Sequence, residues 1–276
     1  MAAWPLRPRG RGGDGVFSTL WRHRSLVAEL VKREFSGRYR GSFGGVAWSF
    51  AQPLFLLAVY TLAFGVIFQA RWGFAGGTAS YALMLFAGLI VFNAFSECLT
   101  RGPALVSQQP NLVKKVVFPL EVLPWVMATT AIAHAIIGIA VWLVGYAVFF
   151  GVPKATALLF PAILLTFFPV LLGLGWLLSA MGVLVRDVGQ LTALLSHALL
   201  FLTPIFYSVD AVPPALQGVL LANPMTFVVE QLRLVLFVGE VPVVRALLVY
   251  FLLSALFAWG ALWVFRRVRP RFADLV

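Results

Sequence analysis

Residues 188–240 read VGQLTALLSHALLFLTPIFYSVDAVPPALQGVLLANPMTFVVEQLRLVLFVGE, and the prolines in that stretch decide how the chain is read. It begins as a plausible membrane span, residues 188–207. It then breaks into two short apolar pieces, 215–222 and 225–237, punctuated by Pro213, Pro214 and the pair Asn223-Pro224. Proline removes a backbone donor and constrains the residue before it, so neither break continues a straight helix. Crossing about 30 Å of hydrocarbon takes about 20 apolar residues, and neither piece is long enough. The stretch therefore reads as one span followed by two re-entrant half-helices over 211–238. Broken backbone at membrane depth is tolerated only where protein or a water-filled cavity satisfies it. Pro213, Pro214, Asn223, Pro224, Glu230 and Arg233 are accordingly the candidate gate of a pathway through the membrane. The alternative is an ordinary amphipathic loop outside the membrane.

Outward from this stretch, the composition points the same way. Of the 276 residues 61% are hydrophobic and only 11% charged, against roughly 25% charged in soluble domains. This is an all-α integral membrane chain. Periodicity and apolar length predict six transmembrane helices, over about 46–69, 81–98, 122–150, 155–185, 188–207 and 242–265. Residues 1–24, rich in Arg, Gly and Pro, read as a basic disordered N-terminus. Residues 25–276 read as one transmembrane domain. The text SLVAELVKREFSGRYR, residues 25–40, places apolar residues at helical spacing between charges. It predicts an amphipathic helix at the membrane interface, or one packed on a partner subunit. No cleavable signal peptide is visible, because no apolar core precedes the first long span.

With the N-terminus placed in the cytoplasm, all but four of the 21 Lys and Arg fall on the inner side; the exceptions are Arg71, Lys154, Arg233 and Arg245. The positive-inside rule selects that orientation, with both termini cytoplasmic. The net charge of +11 is then a topology signal and a hold on anionic lipid rather than a sign of nucleic-acid binding.

Catalytic machinery is not legible. The chain lacks a Walker A loop, an H-E-x-x-H helix and a G-x-S-x-G elbow. Its single Cys98 excludes an internal disulfide and a multi-cysteine metal site. A membrane-embedded transferase would need a reachable acid, base or metal site, and the ten scattered acidic residues offer no such pair. No cofactor and no metal is expected on this chain. His134 and His197 lie within spans, where ionisable groups are functional candidates by default; the favoured reading is a neutral imidazole bonded to a neighbouring helix. Trp48 suits the headgroup level, whereas Trp142 and Trp176 sit deeper. With Phe206 and Tyr207 they are candidate lining for a pathway that carries sugar, since flat aromatic faces suit the apolar C–H faces of sugar rings.

Four stretches, in order and correctly spaced, resemble the ABC-2 type permeases, and within them the subunits that export polysaccharides such as O-antigen, capsule and teichoic acid. They are RYRGSFGGVAWSFAQP from Arg38, NLVKKVVFPLEVLP from Asn111, RDVGQL from Arg186 with the gate stretch that follows it to Arg233, and FRRVRPRFADLV from Phe265. Gly44 departs from the pattern, an aliphatic residue being commoner there. The resemblance implies a homodimer of this chain joined to two copies of a separate ATP-binding subunit, which would hold the ATP and Mg. It implies an undecaprenyl-linked polysaccharide as substrate, most naturally O-antigen, and a bacterial inner-membrane location. The helix at 25–40 and the segment at 100–118 would receive the ATPase stroke, with Glu34, Arg38, Arg40, Arg101, Lys114, Lys115, Arg186 and Asp187 as coupling residues. An ABC-2 permease for a drug or small lipid is the alternative.

Overall fold

The computed structural model describes residues 24–39, 47–67, 77–110, 118–185 and 187–272. Among these the regular structure is entirely helical. We number the helices α1 Arg24–Tyr39, α2 Trp48–Tyr60, α3 Thr78–Arg101, α4 Val122–Phe150, α5 Phe160–Leu184, α6 Val188–Leu202, α7 Pro214–Ala222, α8 Pro224–Arg233 and α9 Val244–Val268. Two π-helical turns extend this set, Thr61–Ile67 after α2 and Leu234–Val238 after α8.

The bundle is organised around α3. Leu83, Met84, Leu85 and Phe86 make up a full turn and each is at most 2% exposed. A helix apolar and buried on every side lies inside its bundle, and α3 packs against α2, α4, α5, α6 and α8. By contrast α6 turns Leu191, Leu194, Leu195 and Phe201 outward, and α9 exposes Leu248, Leu252 and Leu256. Apolar side chains facing outward are what a lipid solvent requires.

Among the described residues four helical stretches, built on α3, α4, α5 and α9, are long and apolar enough to cross a membrane, and counting the bent pair α7–α8 as one span makes five. Within those residues the expected six crossings are therefore not all met by long helices. Residues 188–207 do not form one span, because α6 ends at Leu202 and Thr203 is already extended, at φ −97° and ψ 137°. Pro204 is the reason, since its ring disfavours helix at the residue before it. The 15 residues of α6 rise only about 22 Å. The second helix differs the other way: α3, Thr78–Arg101, runs about one turn beyond residues 81–98 at each end.

Proline elsewhere falls where it costs least. Pro161, Pro214 and Pro224 occupy the first turns of α5, α7 and α8, where the missing amide has no intrahelical partner anyway. Pro169 lies inside α5. In the turn before it, Ser254 of α9 donates a 3.0 Å hydrogen bond to the Thr166 carbonyl.

At the end of the bundle that carries Arg101, the chain after α3 makes a 3-10 turn, Gly102–Ala104, wedged against α5. Gly182 makes this approach possible, because a Cβ there would overlap the carbonyl of Pro103. Gly182→Ala is expected to destabilise the protein by about 1–3 kcal/mol, as overpacking against rigid backbone does. Gly189→Ala, with open space around it, is the control. Thermal unfolding in detergent compares them, and equal melting temperatures would show that the wedge is not tight.

A stapled elbow and a charged joint as the candidate functional site

The two short helices α7 and α8 meet at 95° across Asn223. Sequence dictates this corner. Pro224 holds Asn223 extended, at φ −73° and ψ 119°, and the Asn223 side chain caps α8 by accepting from the Met225 amide at 3.0 Å. Asparagine is among the best N-caps because its side-chain oxygen reaches an otherwise orphaned amide. Its amide nitrogen also donates to Thr203 Oγ1 at 2.9 Å, and Tyr250 of α9 donates to the Pro224 carbonyl at 2.9 Å. The corner is thus pinned from two sides.

Residues 203–206, unwound after α6, present backbone carbonyls inside the protein, and Arg233 serves them. Its side chain is 3% exposed. Nη1 donates to the Pro204 carbonyl at 2.6 Å, Nη2 to the Ile205 carbonyl at 2.7 Å and Nε to the Met84 carbonyl of α3 at 3.0 Å. The carboxylate of Glu230, one turn earlier on α8, accepts from Nη1 at 2.9 Å. Tyr81 of α3 donates to the Phe206 carbonyl at 2.8 Å. Gly88 leaves room for the guanidinium, since a Cβ there would come within 3.1 Å of Nη2. Arginine suits this task because its planar fork offers five donors in fixed directions. On the far side of α8, Lys154 donates to the Val238 carbonyl at 2.7 Å and Thr156 to the Val235 carbonyl at 2.8 Å, which fixes the π-turn.

At the opposite end of α3 lies a charged joint. In α1, Leu26, Val27, Leu30, Val31, Glu34 and Phe35 form the half-buried face, while Glu29, Lys32 and Arg33 are exposed. Glu34 thereby points inward and accepts from Arg101 Nη2 at 2.6 Å. The other nitrogen of the fork, Nη1, donates to Glu97 Oε1 at 2.6 Å, and Glu97 Oε2 lies 3.1 Å from His134 Nδ1 of α4. Phe35 stacks on the His134 ring, centroids 5.3 Å apart. One arginine therefore ties α1 to α3, and through Glu97 to α4. Beside it, the polar side chains of Ser49, Gln52, Asn93, Glu97 and His134 share with apolar ones the lining of a cavity of about 280 Å³ between α2, α3 and α4. Near the same end Arg269 donates to Glu121 at 2.7 Å, and Phe272 packs edge-on against Phe265.

The two sites share one helix: α3 carries the charged joint at one end and the stapled elbow at the other. The ABC-2 type transporter family matches residues 25–237, a range that contains both. The chain belongs to that family. It is an ABC-2 permease. Along 93% of its length the permease is 27% identical to the O-antigen export system permease protein RfbA of Myxococcus xanthus, covering 97% of that protein. Over 91% of its length it is 21% identical to a protein of the same name from Klebsiella pneumoniae, covering 95% of it.

The permease brings together some of the residues singled out from sequence and separates others. Glu34 and Arg101 meet. Arg38 lies in the last turn of α1, and Arg40, Lys114, Lys115 and Arg186 fall outside the described residues. Asp187 is exposed, and its carbonyl accepts from the Gln190 and Leu191 amides at 3.1 Å to start α6. Glu230, Arg233 and Asn223 are parts of the elbow, while Pro213 and Pro214 begin α7 on the exposed side. Of the aromatics, Trp48 is exposed at the start of α2. Trp142 is fully buried and donates to the Leu83 carbonyl at 2.8 Å. Trp176 is 3% exposed and donates to the Glu121 carbonyl at 3.2 Å. Both indoles are enclosed among the chain's own helices. Phe206 stacks on Phe201, and Tyr207 donates to the Phe201 carbonyl at 2.7 Å. Tyr81, Thr203 and Glu97 were not singled out as site residues. Only Pro204, which forces carbonyls out of the helix, is a local signal that donors would be needed nearby. His134 does hydrogen-bond to a neighbouring helix, through a carboxylate, whereas His197 bonds within its own helix to the Ala193 carbonyl at 2.8 Å.

Proposed function

We propose that this permease is the membrane subunit of an ATP-driven exporter that moves an undecaprenyl-linked polysaccharide of the O-antigen type across the bacterial inner membrane. Two copies of the chain would pair with two copies of a separate ATP-binding subunit, which holds the nucleotide and Mg. The observation that carries this reading is the similarity, over almost the whole chain, to permeases named for O-antigen export. The geometry supports a mechanism. A stroke delivered to α1 and to the segment around 100–118 reaches α3 through the Glu34–Arg101 pair. Met84 and Arg101 lie on one continuous helix, α3, about 26 Å apart along its axis. Displacement of α3 is then felt by the Arg233 fork that grips Met84, Pro204 and Ile205, and the α7–α8 elbow is the element that opens. Trp48, Phe206 and Tyr207 are the aromatics this reading keeps for the substrate pathway, and both termini are assigned to the cytoplasm.

Deletion of the gene tests the proposal. The deletant is expected to keep polysaccharide on its lipid carrier inside the cell and to lose it from the surface, with both restored by the gene in trans. Normal surface polysaccharide in the deletant would refute the export role.

A further inference from the structure

On the outer side of the elbow, a cavity of about 730 Å³ lies between α9, α5 and the α7–α8 pair. Its floor follows one face of α9, where Ala246, Val249, Tyr250, Leu253 and Phe257 recur every three or four residues. From Val243 to Phe257 that face rises about 21 Å, enough for the acyl chain of one leaflet, whose share of a roughly 30 Å core is about 15 Å. Phe95 and Leu174 close the far wall, and Phe227 of the elbow stacks on Tyr250 at 4.8 Å. The polar groups inside are already used within the chain: Tyr250 donates to the Pro224 carbonyl, and Ser254 Oγ lies within hydrogen-bond distance of the Thr166 and Phe251 carbonyls. The interior therefore suits a hydrocarbon occupant.

Arg245 is the one charged side chain among the described residues that line the cavity. It is exposed in the first turn of α9, and among the described residues it has no ion pair or hydrogen bond. The helix dipole at that first turn adds to its attraction for an anion. An unpaired guanidinium at the mouth of a hydrocarbon slot suits an anionic lipid, and the surrounding bilayer supplies one as anionic phospholipid. We infer that the cavity is a phospholipid site, with the phosphate on Arg245 and one acyl chain lying along α9 against Tyr250 and Phe227. Because Tyr250 holds the corner carbonyl of Pro224, the bound chain braces the elbow from its lipid side.

Native mass spectrometry of the full chain, released from nanodiscs of equal parts phosphatidylglycerol and phosphatidylcholine, reads this directly and is independent of transport. The wild type is expected to retain phosphatidylglycerol preferentially. Arg245→Glu should lower that retention about tenfold by removing a charge-assisted pair and leave phosphatidylcholine unchanged. Arg245→Lys should keep most of the preference, and Leu253→Trp, which fills the slot, should lower retention of both lipids. Wild-type retention in Arg245→Glu, or equal loss in the Lys and Glu variants, would overturn the site. Two other occupants have their own signatures. Displacement of phosphatidylglycerol by equimolar undecaprenyl phosphate would assign the slot to a polyprenyl tail instead. Disulfide formation between copies of Leu253→Cys in native membranes would assign it to a second copy of the chain; the natural Cys98 is buried and does not interfere. Either result overturns the phospholipid assignment.

Discussion

Arg233→Ala is expected to lower the stability of the permease in detergent by about 2–4 kcal/mol and to abolish export. The wild-type guanidinium serves the carbonyls of Pro204, Ile205 and Met84 at once, from a position 3% exposed. Alanine would leave the first two without the donor that holds the unwound segment. A buried acceptor stranded in this way costs about 1–3 kcal/mol, and membrane-buried polar contacts fall toward the lower end because the unfolded chain in the bilayer also finds partners. Arg233→Lys should recover only part of the loss, since a single ammonium cannot span three carbonyls fixed by separate segments. Glu230→Gln should cost far less. The Glu230 side chain is 41% exposed, and exposed pairs contribute little. Thermal unfolding of the three variants and limited proteolysis at 203–208 check the order. Equal stability in Arg233→Ala and wild type would mean that the elbow holds without its staple.

The second large effect is expected at the joint. Arg101→Ala should reduce export at least tenfold while the protein still inserts and folds. Arg101 joins Glu34 of α1 to Glu97 of α3 through the two nitrogens of one guanidinium. Its side chain is 37% exposed and that of Glu34 25%, so water partly screens the pair and its contribution to stability is small. Its role in force transmission is geometric, because a bidentate fork fixes direction as well as distance. A double-mutant cycle makes the test specific. Glu34→Ala and Arg101→Ala should each impair transport, and the double variant should be little worse than Arg101→Ala alone, since both remove one connection. Strictly additive losses would show that the two residues act separately, and the joint would then lose its role in coupling.

Legibility from sequence divided along a physical line. Helices whose boundaries are set by local chemistry were readable. Pro214 and Pro224 start the short helices, and Asn223 turns the corner between them. The apolar run from Val122 to Phe150 begins and ends where predicted. The apolar face of α1 could be read from spacing, but the inward turn of Glu34, which sequence grouped with the other charges, could not. The end of α6 was readable too, had the weight of Pro204 been set against the apolar run that contains it. The partner of a polar side chain was not readable. Arg233 was placed among gate residues, yet the carbonyls it serves lie 28, 29 and 149 positions away in the chain. Trp142 and Trp176 could be recognised as deep, but whether an indole lines a path or fills a core depends on which helix lies opposite.

By itself the sequence determined that this chain is helical and built for a membrane, where proline breaks it, and which end collects positive charge. These follow from backbone chemistry and transfer energies that act within a few residues. Tertiary structure alone decided that α3 would be the enclosed axis of the bundle, that one arginine would staple the unwound backbone and that another would lock the surface helix. In a chain where most helices are equally apolar, hydrophobicity cannot rank them. Close approaches at glycines such as Gly175 and Gly182, and the backbone groups left needing donors, help select which helices meet.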